Sequence, residues 1–109
     1  MQRMGIVIGV KPEAIAEYKR LHATGSAEVN ALLSACGVRN YSIYLREPEN
    51  LLFGYWEYHG ADWPADAARL DKEPAIRAWL GQTDPCQHPL ASAASGEWWS
   101  PMEEVFHLD

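Results

Sequence analysis

Tyr18 and His22 lie four residues apart in a segment where Ile15, Tyr18, Leu21 and His22 recur at three-to-four spacing. That period marks one stripe of an amphipathic helix, and an i, i+4 pair stacks on the same face. A stripe of this kind normally packs against a sheet, but here two of its members carry polar tips. A histidine at such a position can exchange a proton near neutral pH. Taken alone, it also fits a core histidine satisfied by a backbone partner. The other side chains with chemistry to offer are Tyr41, Tyr44, Trp79 and the Trp98–Trp99 pair. Together they supply one acid/base group, several hydroxyl tips and flat aromatic faces. That inventory suits proton transfer on a neutral polar ligand with one apolar side, such as a sugar ring. There is no nucleophile elbow, no glycine-rich phosphate loop and no cluster of arginines for an anionic substrate. No His, Cys and carboxylate group has zinc-site spacing, so no metal is expected. Glu103 and Glu104 read as solvated or strand-edge charges, and His59 and His88 as loop residues.

The elements that must position these groups follow from pattern and punctuation. Met4 to Val10 is a short β-branched run ended by Lys11–Pro12, a strand followed by a helix start with proline in its first turn. The helix carrying Tyr18 and His22 meets a weak spot at Ala23–Thr24–Gly25–Ser26, where Ser26 can cap a second helical piece through Val29, Leu32 and Leu33. Gly37 closes that piece as a glycine just past the helix end. From Val38 to Arg46 the residues alternate, with Tyr41, Ile43 and Leu45 on one face and Ser42 and Tyr44 on the other. A turn at Glu47 to Asn50 leads into a second strand, Leu51 to Tyr58, making a hairpin. A helix is expected from about Ala65 to Leu80, with Pro74 kinking or breaking it. Gly81 to Gly96 reads as a long polar loop of the functional or mobile kind, and Glu97 to Asp109 as a final strand. The order β-α-β-β-α-β is the ferredoxin-like pattern of the α+β class, an antiparallel sheet with helices on one face. Its exposed, aromatic-rich sheet face predicts a homodimer.

The chain has 109 residues, read as a single domain over 1–109, and its 48% hydrophobic and 22% charged residues are ordinary for a globular core. A net charge of −6 leaves no basic patch for nucleic acid or an anionic membrane. No apolar run is long enough to span a bilayer. The apolar N-terminal stretch is too short for a secretion signal. Two cysteines, Cys36 in a helix and Cys86 in a loop, do not make a disulfide framework, so a reduced, cytoplasmic chain is expected. Five tryptophans exceed what one small core needs.

Several segments together resemble the L-rhamnose mutarotase family. They are Glu17-Tyr18-x-x-x-His22, Asn40-Tyr41-Ser42-Ile43-Tyr44-Leu45, Asn50-Leu51-Leu52-Phe53 and Glu104-Val105-Phe106-His107-Leu108. Their order and spacing cover nearly the whole chain. The resemblance implies a dimeric α+β barrel that interconverts the α and β pyranose anomers of a 6-deoxy-L-hexose, L-rhamnose or L-fucose, with no cofactor. It implies that His22 is the proton donor and that Tyr18 and Tyr41 bind sugar. Trp79 is the remaining match to a tandem tryptophan of that family, and Ala78 departs from it. The Trp98–Trp99 pair is a candidate replacement stacking face. The base is open between a water and a carboxylate such as Glu104. Two rival readings are a cofactor-free monooxygenase on the same architecture and a non-catalytic sugar-binding module.

Overall fold

The computed structural model describes residues 1–109. Strand β1 (Gln2–Val10) is followed by a 3-10 turn at Pro12–Ala14 and then by helices α1 (Ile15–Thr24) and α2 (Ala27–Ala35). The hairpin β2 (Val38–Arg46) and β3 (Leu51–Tyr58) comes next, then α3 (Trp63–Leu70) and α4 (Pro74–Thr83). After a 3-10 turn at Asp84–Cys86, two short strands close the sheet, β4 (Gln87–His88) and β5 (Ser100–Met102).

The sheet is antiparallel in the order β2-β3-β1, and β4 and β5 share the far edge of β1. This is the expected α+β layout, with each expected helix cut in two. The first cut falls at Gly25, whose φ of 66° favours glycine because a Cβ would be strained there. Ser26 then accepts a hydrogen bond from the Val29 N–H at 3.2 Å and restarts the helix. The second cut falls before Pro74, which begins α4 because its missing N–H costs nothing in a first turn. Asp62 caps α3 by accepting from the Ala65 N–H, so that helix starts earlier than expected, at Trp63.

Alternation sets the two faces of the sheet. Ile8, Val10 and Leu52 point to the helices and form a core with Tyr18, Leu21 and Cys86. A second cluster, Val29, Leu70 and Ile76, joins α2 to α3 and α4. Tyr58 is buried in a third, where its hydroxyl donates to Asp66 and accepts from the Asp62 N–H at 2.9 Å. This ties α3 to the end of β3.

Two expectations about the C-terminal third change. The expected long loop from Gly81 is helical to Thr83 and is then pinned to β1, since the Lys11 N–H donates to the Cys86 carbonyl at 2.8 Å. The expected strand from Glu97 to Asp109 is reduced to Ser100–Met102. Its central residue is Pro101, which cannot donate to the ladder. Beyond Met102 the side chain of Glu104 is taken by Arg3, in two hydrogen bonds at 2.9 and 3.0 Å. Val105, Phe106 and Leu108 stay 88%, 78% and 79% exposed.

Candidate active site

Between the helix-facing side of the sheet and helices α1 and α2 lies a cavity of about 710 Å³. Tyr18, His22, Tyr41 and Trp79 all line it. All four residues expected at the site therefore meet in one place, although they come from a helix, a strand and a second helix. Tyr18 and His22 stack with ring centroids 4.2 Å apart, as one turn of α1 dictates. Trp79 stands nearly perpendicular to the imidazole, 5.1 Å away. Tyr18 is buried, whereas His22 is exposed along the cavity. His22 is thus not a packed core histidine.

One nitrogen of His22 is already committed. Nδ1 lies 2.8 Å from the Tyr18 carbonyl oxygen, which can only accept, so Nδ1 carries a proton and donates it. Nε2 is the nitrogen left for chemistry. In the imidazolium it is a donor, and in the neutral ring it is an acceptor. His22 also lies in the last turn of α1.

The hydroxyls near it stay neutral well above physiological pH. Burial raises the pKa of Tyr18, helped by the nearby Tyr41, while a hydrogen bond from Gln87 opposes the rise. Burial likewise pushes Tyr41 up to about 12. Tyr41 is still 41% exposed, because its open surface borders the cavity. Both groups are neutral hydrogen-bonding hydroxyls, not anions. No carboxylate lines the cavity. Arg39 is on its border, but its guanidinium donates to the Ser34 and Val38 carbonyls at 2.7 and 2.9 Å.

A β-bulge beside Tyr41 brings Val38 onto the same cavity-lining face as Tyr41, Ile43 and Leu45. Val38 pairs with Tyr58 and Leu45 with Leu52, both on the helix side, yet they are an odd number of residues apart. Strict alternation would put them on opposite faces. The register shift between Arg39 and Ser42 inserts the extra residue, with Asn40 at φ 51°. Asn40 donates from Nδ2 to Glu57 at 2.8 Å, which fixes the bulge. Behind Tyr41 stand Trp56, at 6.2 Å, and then Trp63, 4.6 Å further on.

Other expected candidates lie elsewhere. Tyr44 is on the opposite face of the sheet and 67% exposed. Glu104 is on that face too, paired with Arg3, and does not border the cavity. Trp98 and Trp99 do not line the cavity either, so they are not its stacking face. Trp99 packs on the core beside Gly54, where a Cβ would come within 3.7 Å of its ring and within 2.8 Å of Ile6. Trp98 donates from Nε1 to Gln87 at 3.0 Å. Gln87 in turn donates to the Tyr18 hydroxyl at 3.2 Å, a contact that the local sequence pattern did not reveal. The bulge was legible in principle, from the odd spacing between Val38 and Ile43. No group of three or more His, Cys, Asp or Glu side chains converges to hold a metal.

Comparison with known proteins agrees with this geometry. A family model described as L-rhamnose mutarotase matches residues 3–108. An L-rhamnose mutarotase of Yersinia pestis (strain Pestoides F) is 36% identical over 111 residues, with both chains fully covered. Among solved structures, an L-rhamnose mutarotase from Formosa agariphila superposes with a TM-score of 0.80 at 22% identity, over the whole of both chains. Tetracenomycin F2 cyclase from Streptomyces glaucescens shares the fold at a TM-score of 0.66 and 16% identity, over 100% of this chain and 98% of its own. The match of the family model across nearly the whole chain, with the full-length relative, shows that this chain belongs to the L-rhamnose mutarotase family of isomerases.

Proposed function

We propose that this chain interconverts the α and β pyranose anomers of L-rhamnose, with His22 as the proton donor. The observation that carries this reading is the Nε2 of His22, left free by the Nδ1 bond, on a residue that lines one cavity together with Tyr18, Tyr41 and Trp79. Eleven of the nineteen lining residues are hydrophobic, which suits the apolar face of a 6-deoxy sugar better than a fully hydroxylated one. L-Fucose has the same 6-deoxy character and is the second substrate to test.

In the ring-opening step, the imidazolium of His22 gives its Nε2 proton to the ring oxygen as the C1–O5 bond breaks. A water takes the anomeric hydroxyl proton, and C1 becomes the aldehyde carbon. Rotation about C1–C2 presents the other carbonyl face. O5 then attacks C1, its proton returns to Nε2, and the new anomeric oxygen regains a proton from the water. Tyr18 and Tyr41, held neutral, bind sugar hydroxyls, and Trp79 covers the apolar side. No carboxylate of this chain lines the cavity, which favours the water as the base.

A second copy of the chain belongs to the same proposal. The outer sheet face carries exposed Tyr44 and Met102, and the tail beside it exposes Val105, Phe106 and Leu108. Burying these against an identical face gives a homodimer. The free thiols of Cys36 and Cys86 are in keeping with a reducing cytoplasm, and no helix is long and apolar enough to cross a membrane.

Saturation-transfer NMR on a panel of aldoses tests the function, because one experiment per sugar reads anomer exchange. Accelerated exchange is expected for L-rhamnose, and an unaccelerated rate for every sugar in the panel contradicts the reading.

A further inference from the structure

The hydroxyl of Tyr18 is held from behind. Gln87 is only 4% exposed and does not border the cavity, yet its Nε2 lies 3.2 Å from the Tyr18 oxygen. Its Oε1 lies 3.0 Å from Trp98 Nε1. An indole N–H can only donate, so it fixes which end of the Gln87 amide faces which way. The amide oxygen must face Trp98, and the NH₂ must face Tyr18. The Tyr18 oxygen is therefore an acceptor on this side, and its own proton must point elsewhere. No other protein group bonds to that hydroxyl. The open direction is the cavity that Tyr18 lines.

We propose that Gln87, locked by Trp98, is a positioning residue that aims the Tyr18 O–H into the cavity as a donor to a sugar oxygen. The backbone makes the arrangement stiff. Gln87 pairs with Val10 at the end of β1, and the Lys11 N–H holds the adjacent Cys86 carbonyl. Thus the segment after α4 inserts one side chain behind the site, and Trp98, from the stretch before β5, sets its polarity. The tryptophan that is absent at position 78 is not replaced in the cavity. Trp98 acts two residues back from the ligand.

This proposal rests on the mutarotase reading above. Its test is anomer exchange of L-rhamnose by the full chain, resolved into KM and kcat. Gln87→Met keeps the length of the side chain and leaves the Tyr18 hydroxyl free to rotate. It should raise KM about threefold to tenfold, the worth of one oriented hydrogen bond, with kcat within about twofold. Gln87→Glu should be worse than Gln87→Met, because a carboxylate accepts from both neighbours and draws the Tyr18 proton away from the cavity. In a Tyr18→Phe background, Gln87→Met should change KM by less than about twofold. Equal losses in both backgrounds, an unchanged KM in Gln87→Met, or Gln87→Glu performing as well as Gln87→Met would each overturn the proposal. Trp98→Phe, at the partly exposed end, keeps the test open if the Gln87 variants do not fold. A smaller rise in KM is expected there, and none would overturn the lock. Wild-type protein that accelerates no exchange defeats the mutarotase reading itself. Wild-type exchange that Gln87 substitutions leave untouched defeats only this positioning role.

Discussion

His22 and Trp79 wall two sides of one corner of the cavity, and their pairing shows how local and long-range signals differ. The stacking of Tyr18 on His22 was legible because it depends only on helical period. So was the inward direction of Tyr41, which alternation sets with Ile43 and Leu45, while the bulge beside it shows only as the odd spacing between Val38 and Ile43. Gln87 was not legible. It reaches Tyr18 from 69 residues away, through strand pairing that no local pattern reports. The Trp98–Trp99 pair illustrates the converse. Aromatic side chains announced something beyond an ordinary core, but residue type alone cannot tell a ligand face from an indole donor. Trp79 also packs against two core clusters, so its truncation should act on stability as well as binding. Trp79→Ala is expected to weaken L-rhamnose binding by roughly twofold to tenfold in the folded fraction, the range for one aromatic contact. Titration calorimetry, with circular dichroism to fix the folded fraction, measures both. Unchanged affinity in folded protein would make Trp79 a core residue only.

At the scale of elements, the sequence showed where helices break because glycine, serine and proline act locally. Gly25–Ser26 and Pro74 cut the helices where their backbone chemistry requires. The expected final strand is cut short for a related reason. Val105 and Phe106 are adjacent, so the apolar residues there do not alternate. Pro101 interrupts the ladder, and Arg3 captures Glu104. That ion pair holds Glu104 below the usual carboxylate range. A carboxylate with a lowered folded pKa contributes above its unfolded pKa, and the contribution is lost as pH falls through the folded value. The tail should therefore stay docked at neutral pH and loosen in acid. Glu104→Gln should loosen it at neutral pH. Amide exchange of residues 102–109 reads this, and equal protection in wild type and Glu104→Gln would contradict it. The bulge offers a second test. Asn40 sits in the left-handed region, which costs a residue with a Cβ roughly 1–2 kcal/mol. Asn40→Gly should keep the bulge and the direction of Tyr41. Asn40→Val should lower stability by about that amount and weaken sugar binding. Equal behaviour of the two variants in denaturation and binding would show that the bulge does not set the site.

The whole molecule has two surfaces with different tasks. The helix-facing side of the sheet encloses the cavity, and the opposite side leaves apolar groups uncovered. Composition had suggested the second face through its aromatic excess, and the position of the tail now adds to it. Sedimentation at micromolar concentration should show a dimer, with an interface of at least roughly 1,000 Å². A stable folded monomer would contradict that assembly. The claim on which the account turns is that His22 moves the proton. His22→Asn keeps a polar side chain of moderate size and removes the titrating group. No large core volume is lost, so the fold should survive. The measurement is anomer exchange of L-rhamnose by saturation-transfer NMR, wild type against His22→Asn, with circular dichroism to confirm folding. A folded variant slower by about 10² to 10⁴-fold is expected, with sugar affinity little changed. A folded His22→Asn variant that exchanges anomers at the wild-type rate would contradict it.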